Sequence, residues 1–466
     1  VSTFSALNAV TTALWAQRRG LDVTGQNIAN VNTEGYSRQR VDLRAIGGSV
    51  VPAFYSTSPG IGQGVSAENV IRIRDAFLEG RGHSEHANVS RLTVETDAYE
   101  LVEQAFREPG STGLQSLMSD MWSGWQDVAV NPRDSAARGQ VLKRLETLVG
   151  GLHFSSASLD AQWKETRENL EVLVKDVNAT AATVADLNRA IKLAAQSGLP
   201  ANDLSDKRDL LVMKLADQIG ATVRPGEHGV VDVVVGGMAL VAGATSSEFA
   251  LVGALGPGGV AADKPRIVTA SGGFTVQPGG TAAGQLNAMN AIIPDHLAAL
   301  DAIAVDLSTT LNTAHQSGYD LAGNPGGPLL GSAAGPVTAA SITVMVTDPN
   351  LVAASSIGPG TASLDNGNAD KIAQLRSDPA GTDATYRRMI VELGVQSAVS
   401  KRNLDIQSVI TTQVDAARES VAGVNIDEEM TNMLSFQHAY AAAGRMVTAI
   451  DETLDVLINR TGLVGR

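Results

Sequence analysis

The sequence predicts a mainly α protein with a β-rich inserted domain: terminal coiled-coil helices, a discontinuous bundle of long helices and an outer β domain. Three observations predict it. Leu7, Leu14, Leu21 and Ile28 near the start, and Ile426, Met433, Tyr440, Val447 and Leu454 near the end, form two apolar stripes in a seven-residue repeat. A period of 3.5 residues asks for another helix to cover it. Between the stripes, apolar residues recur at helical spacing over long distances, and at Ala221 the period switches towards two.

The elements follow in order. Residues 1 to about 32 read as an amphipathic helix flanked by Phe4, Ala6, Val10 and Ala13, weakened by Gly20 and Gly25. From Asn30 to Gly64, turn residues punctuate short runs such as Arg40 to Leu43 and Val50 to Tyr55, which suit short strands. A helix carrying Leu92, Glu95, Tyr99, Val102 and Phe106 on one face runs from about Asp75 and stops at Glu108-Pro109-Gly110. The next covers Gly113 to Val130 and ends at Asn131-Pro132, because a residue before proline is pushed out of the α region. A third runs from Asp134 to Gly198 with an interruption at Gly150-Gly151 and a buried stripe of Leu159, Trp163, Leu170, Leu173, Val177, Val184, Leu187 and Ile191. Asn202 and Asp203 start another, with Leu210, Leu211 and Leu215 following.

Thr222 to Arg224, Val230 to Val235, Ala239 to Val241, Phe249 to Val252, Arg266 to Thr269 and Phe274 to Val276 then read as short strands between Gly, Pro, Asn and Ser turns. Helical spacing returns from Ala283 to Ser317. A Gly- and Pro-rich stretch follows, with one strand at Ser341 to Thr347 and a short helix near Ala369 to Arg376. A last long helix spans Ala384 to Glu419, and the C-terminal heptads begin after Gly423. The expected domains are 1–34 plus 424–466 (terminal coiled coil), 35–220 plus 281–320 plus 384–423 (helix-rich core), 221–280 (β-rich insert) and 321–383 (irregular segment). Such nesting places the termini together.

Composition bounds the function. At 466 residues the chain exceeds one compact core. Hydrophobic residues make up 44% but aromatics only 4%, so small aliphatic side chains line the cores. A formal charge of -14 without a Lys/Arg cluster argues against nucleic acid as a partner. No run reaches the roughly 18 uninterrupted apolar residues of a membrane span, so no membrane insertion is expected. The nearest, Val230 to Ala244, is broken by Asp232, Gly236, Gly237 and Gly243. Gln17, Arg18, Arg19, Asp22 and Gln26 interrupt every candidate signal-peptide core near the start. The absence of cysteine excludes disulfides, thiolate ligands and a Cys nucleophile.

The most specific local string is Asn27-Ile28-Ala29-Asn30-Val31-Asn32-Thr33-Glu34-Gly35-Tyr36-Ser37-Arg38. Its Asn and Thr side chains can bond nearby backbone and end a helix, and Gly35 permits a positive φ. A helix end and turn account for the residue types but not for the whole string. It resembles the signature of the flagellar axial proteins, the rod, hook and hook-associated family, on Ala29, Asn30, Thr33, Gly35, Tyr36 and Arg38. The stretch Val424 to Met430, with Phe436-Gln437, Ala439-Tyr440 and Arg445-Met446-Val447, resembles the partner helix of that family. Asn202 to Leu211 and the helix end His315 to Asp320 are similar to the hook-associated branch that joins hook to filament.

That resemblance implies a structural subunit of the bacterial flagellum at the hook–filament junction, required for filament assembly. It also implies self-association into a ring, contacts with hook protein and a second junction protein, an export chaperone on the C-terminal helix, and an extracellular location reached by type III export without a cleaved signal peptide. The expected assembly interface comprises Leu7, Leu14, Leu21, Ile28, Ala29, Asn30, Thr33, Gly35, Tyr36, Arg38, Ile426, Met433, Gln437, Tyr440, Val447 and Leu454. A hook or distal-rod subunit shares both end motifs but lacks the long helical stretch after Asp75. An enzyme or glycan-binding module in the β insert is the reading from another class.

No catalytic, cofactor or metal site is expected. Asp203, Asp206 and Asp209 sit near a helix start, where carboxylates suit the dipole and Arg208 can pair. His83 and His86, i and i+3, have no third ligand nearby and read as an exposed helix face. His315 reads as a packing or hydrogen-bonding residue. Gly60 to Gly64 lacks the preceding strand and following Lys-Ser/Thr of a phosphate loop. For the stripes, the plain alternative is an ordinary core-facing helix.

Overall fold

The computed structural model describes residues 3–47, 62–258, 263–358 and 364–460, so the expected strand at Val50 to Tyr55 lies outside the described residues. It is mainly α with a small β region, as the periodicities predict. Helix α1 (Thr3–Ala29) runs through both of its glycines. Strands β1 (Gln39–Ala45) and β2 (Val65–Arg72) follow as an antiparallel pair with a bulge between Asp42 and Arg44. The hairpin, grouped by its pattern with the helix-rich domain, lies along α1: Thr12 Oγ1 accepts from Val65 N at 3.3 Å, and Asn27 Nδ2 donates to Gln39 O at 2.9 Å.

Helix α2 (Ala76–Phe106) starts where the Asp75 carboxylate accepts from the amides of Phe77 and Leu78, and ends at Arg107 in the left-handed region. α3 (Leu114–Val130) stops before Pro132. α4 (Ser135–Gln196) is the spine, 62 residues long and so about 93 Å at 1.5 Å per residue. The Gly150-Gly151 break expected from sequence does not occur. Gly151 serves packing instead: a Cβ there would meet Leu117 Cδ1 at 2.7 Å and Leu114 Cδ2 at 2.9 Å, so its absence lets α3 lie close to the spine.

α5 (Asn202–Ile219) ends on Gly220 at φ 70°, whose amide reaches the Ala216 carbonyl. Four strands, β3 (Thr222–Pro225), β4 (Val231–Val235), β5 (Met238–Ala242) and β6 (Thr245–Ser246), form an antiparallel meander; β7 (Phe249–Val252) and β8 (Arg266–Thr269) form a separate hairpin. The sixth expected strand, Phe274 to Val276, is reduced to a single bridge between Val268 and Thr275, with Phe274 exposed. Two asparagines on α4 hold this insert. Asn188 Nδ2 donates to Val231 O and Gly243 O at 2.7 Å, and Asn178 gives and takes one bond each with Phe249 O and N at 2.9 Å. Side-chain amides thus satisfy strand backbone that would otherwise be buried unpaired.

α6 (Gly280–Asn287) and α7 (Ile293–Gln316) are one rod joined by a π turn at Ala288–Ile292, one residue short of Pro294. Proline brings no amide to the ladder, and within the π turn the Met289 carbonyl accepts from Trp163 Nε1 at 2.8 Å. By length and composition alone this rod could cross a membrane. Its Ile293, Leu300, Ile303, Leu307 and Leu311 are buried in the protein core. In the irregular segment the one expected strand is a pair, β9 (Leu330–Ser332) with β10 (Ile342–Val344), followed by α8 (Gly367–Gln374). α9 (Thr382–Ala422) returns antiparallel to α2, with Thr96 Oγ1 2.9 Å from Ser400 Oγ and Tyr386 hydroxyl 3.1 Å from Glu108. α10 (Ile426–Asp455) closes the chain, capped by the Asn425 side chain and running on through a π turn to Arg460.

One contiguous core links α2 to α9, and it takes in the β insert and the irregular segment. Trp122, Trp125 and Trp163 are fully buried in it, and Trp122 Nε1 donates to Asp383 at 2.6 Å. The residues of α1, β1, β2 and α10 are absent from that core and form a second body.

Candidate assembly interface

The second body is built from the two ends of the chain. α1 and α10 pack antiparallel: Asn27 Nδ2 donates to Glu429 Oε2 at 3.0 Å, and one turn pair further on Gly20 faces Phe436, whose ring a Cβ on Gly20 would meet at 2.6 Å. A glycine that weakens the free helix here allows a ring to lie against its backbone. Val10, Ala16, Gly20, Thr24 and Asn27 are buried on α1, and Glu429 and Ala443 on α10. Leu7, Leu14, Leu21 and Ile28 are half-buried beside this line, as are Met433, Val447 and Leu454. Ile426, Gln437 and Tyr440 are exposed, and so are Met430 and Leu434.

The signature string folds around Asn27. Its Oδ1 accepts from Tyr36 hydroxyl at 2.8 Å and from Gln39 N at 3.0 Å, while its Nδ2 binds Gln39 O and Glu429. Burial, with Asp206, Asp203 and Glu429 nearby, pushes the Tyr36 hydroxyl up to about 12, so it remains a neutral donor. Arg38 reaches across to α10, with Nε 2.8 Å from Glu429 and NH1 2.8 Å from Glu428. Glu429 is 3% exposed, and Arg38 is 19% exposed. The acidic first turn Asp427-Glu428-Glu429 also suits the positive end of α10. Asn30 and Thr33 close the turn between themselves, with Thr33 N to Asn30 O at 2.9 Å and Thr33 Oγ1 to Asn30 Oδ1 at 3.1 Å. Gly35 has φ 76° and abuts Leu210 of α5. Ala29, Thr33 and Gly35 remain exposed.

A second polar cluster joins this body to the core. Arg72 at the end of β2 lies 2.8 Å from both Asp206 and Asp209 of α5; Arg74 contacts Asp209 and, at 2.8 Å, Glu79. Arg208 lies 2.8 Å from Asp209, and Arg418 of α9 bridges Glu79 and Asp415 at 3.0 Å. Against burial, which opposes the charge, Arg208, Arg74 and Arg72 hold the Asp209 carboxyl below its ordinary range. His86 sits between Asp217 at 3.1 Å and Asp415 at 3.0 Å; its hydrogen bond to Asp217 and the charge of Asp415 raise it despite burial. A cleft of about 370 Å³ beside Tyr36, Asp209 and Arg418 is lined by residues of both bodies.

These positions answer the sequence expectations unevenly. Asp206 and Asp209 pair with arginines, as their plain reading has it. His83 and His86 do not lie on an exposed face: His83 is buried, which depresses its basicity, and His86 is a half-buried ionic bridge. Both lie where α9 covers α2, a contact that helix periodicity does not reveal. His315 is fully buried, its Nδ1 2.7 Å from Gly327 O and its Nε2 accepting from Ala353 N at 2.9 Å, which fixes one neutral tautomer. Arg72, Arg74, Glu79, Asp217, Asp415 and Arg418 are not legible in the sequence, because the cluster draws them from separate elements. Among the described residues no group of three His, Asp or Glu is placed to hold a metal.

Residues 99–330 match the family described as flagellar hook-associated protein FlgK helical domain; residues 7–36 match flagella basal body rod protein, and 418–460 match flagellar basal body rod FlgEFG protein C-terminal. The chain is 29% identical to flagellar hook-associated protein 1 of Bacillus subtilis (strain 168), with all of both chains covered. It is 23% identical to flagellar hook-associated protein 1 of Escherichia coli (strain K12), covering 98% of this chain and 99% of that one. The fold is shared with the flagellar hook junction protein FlgK from Burkholderia pseudomallei at TM-score 0.64 and 16% identity, over 74% of this chain and 100% of the other.

Proposed function

We infer that the chain is a member of the flagellar hook-associated protein 1 family and a structural subunit of the bacterial flagellum forming the hook–filament junction, on which filament assembly depends. The observation that carries the reading is the antiparallel pairing of the two chain ends through Asn27, Arg38 and Glu429, set beside a helical core that matches the hook-associated domain over 99–330. A hook or rod subunit would account for the two ends alone, since the rod families match only residues 7–36 and 418–460.

The work is mechanical. The paired ends form the inner layer of a ring of copies, extended by the apolar residues the monomer leaves open on α10, Ile426, Met430, Leu434 and Tyr440. The helical core then meets hook protein on one side and the next junction protein on the other. Its exposed C-terminal helix is also the segment an export chaperone would cover during type III export to the extracellular structure. Deleting the gene in the source bacterium and viewing the cells by electron microscopy tests this. Hooks bare of filaments, with flagellin shed into the medium, are expected; intact filaments would refute it.

A further inference from the structure

We propose that neighbouring copies of this chain join laterally, the outer face of α9 in one copy seating on the acidic outer face of α2 and α4 in the next. This rests on the ring reading above and names the surfaces that make the ring.

α9 covers α2 through Leu393, Ser400, Thr411 and Val414, all buried, and among the described residues its other side is left exposed. There Val391 is 65% exposed, Val395 58%, Val399 50%, Ile406 55% and Val409 69%. With Arg387, Arg388 and Arg402 they recur at steps of three, four and seven, which keeps them on one helix face. The eighteen residue steps from Val391 to Val409 make that face about 27 Å long at 1.5 Å per residue. Exposed β-branched residues in such a row are costly on a surface meant only for water. At its upper end, Val391 borders a hollow of about 480 Å³ with Phe106, Pro109, Tyr386 and Ile390, wide enough for an incoming apolar side chain. Among the described residues the three arginines make no ion pair.

The chain carries a complementary face. On the outer side of α2, Asp97 and Glu100 flank Leu101, which is 44% exposed. Gln162 of α4 donates to Leu101 O at 2.9 Å, which ties α4 to this place, and Phe154 adds an exposed ring capped by Arg107 at 3.3 Å. Glu165 and Glu168 are exposed on α4 as well. Among the described residues none of these four carboxylates has a cationic partner. Partial burial, and to a lesser degree the neighbouring Glu100, raise the Asp97 carboxyl. A row of valines edged by arginines thus finds its counterpart in Leu101 and Phe154 edged by carboxylates. Charge complementarity of this kind selects the partner and its register. Because the two faces differ, contact between them is head to tail, and repetition gives a ring or tube where two like faces would stop at a dimer.

The chain has no cysteine, so single variants Val395→Cys and Leu101→Cys of the full-length protein can be mixed and treated with a short bismaleimide under assembling conditions. The mixed cross-link is expected to exceed either self-link at least tenfold. Predominant Val395→Cys self-links, or no mixed link while the protein assembles, would overturn the proposal. In parallel, Arg402→Glu is expected to weaken self-association about tenfold in sedimentation velocity, and Arg402→Glu with Glu100→Arg in one chain to restore it. Rescue by the double change is beyond a variant that merely misfolds, and its absence counts against the contact. In the deletion strain, filaments grown without any copy of the protein would sink the junction reading itself. Filaments that need the protein but accept Val395→Asp would leave that reading intact and remove this one, as would a cross-link from Val395→Cys to hook protein alone.

Discussion

Replacing Glu429 with alanine tests whether the chain ends are held together in the free protein by the contacts described. Glu429 is 3% exposed and takes Arg38 at 2.8 Å and Asn27 at 3.0 Å. Removing one partner of a buried ion pair costs about 3–5 kcal/mol, because the other charge is left uncompensated. Arg38 is 19% exposed and keeps Glu428 at 2.8 Å, so solvent and the second carboxylate reduce the expected loss to about 2–3 kcal/mol. That corresponds to a rise of about 30- to 150-fold in the population of opened terminal layer. Hydrogen exchange of amides in α1 and α10 reads it directly, and protease cutting near Gly423 should rise in step. The core transition should hold, since neither helix contributes to the contiguous core. Glu429→Gln, which keeps an acceptor for Asn27 but not the charge, should fall between. Unchanged exchange in α1 and α10, or a core transition that falls with the layer, would refute the reasoning.

Three further outcomes are expected. Leu14→Asp or Val447→Asp, both at half-buried positions of the terminal layer, should leave the core melting transition in place while blocking assembly; loss of that transition in calorimetry would count against two separable bodies. His86 is raised by its bond to Asp217 and by Asp415, so the stability it adds is fully present below its unfolded value of about 6.5 and is lost as pH rises through its folded value. The stability gap between the protein and His86→Gln should therefore shrink on going from pH 6 to 9, against the opposite trend of His83 and His315, which burial keeps neutral; a gap that widens would reverse the sign. Gly284→Ala should lower stability by about 1–2 kcal/mol, overpacking of about 1–3 kcal/mol less a helix gain of about 0.5–1 kcal/mol, because its Cβ would meet Val94 Cβ at 2.7 Å and Arg91 O at 2.8 Å. Gly150→Ala, with open space around it, should stabilise instead, and equal melting shifts in the two would contradict the packing account.

Local signals carried most of the secondary structure. Asp75 and Asn131-Pro132 mark ends that depend only on neighbours in sequence, and each stands within a residue or two of its expected place. The errors share one cause. Gly150-Gly151 has the composition of a break, yet Leu114 and Leu117 of another helix give Gly151 its role. His83 and His86 have the spacing of a solvated face, yet α9 arrives from more than 300 residues away to cover them. At the terminal layer the stripe of every seventh residue was visible, whereas the closest contact runs through Gly20 and Asn27, small and polar residues that no hydrophobic pattern selects. The Asn27 to Arg38 string was legible in the sequence, whereas its pairing with Glu429 was not.

The geometry also divides the signature by role. Tyr36 and Arg38 spend their polar groups inside the chain, on Asn27, Glu428 and Glu429, so they build the layer and offer little to a neighbour. The joint to the core is ionic as well, Arg72 and Arg74 at the end of β2 against Asp206, Asp209 and Glu79. Polar contacts between domains permit relative motion more readily than a shared apolar core does. A layer firmly paired within itself but joined to the core through charge can tilt while both bodies stay folded. If copies associate as proposed, the free energy of assembly comes from surfaces the monomer leaves apolar and open: Ile426, Met430 and Leu434 on α10, and the valine row of α9. Substitutions in the signature should therefore weaken assembly through the shape of the layer, and substitutions on those two faces should weaken it through contact.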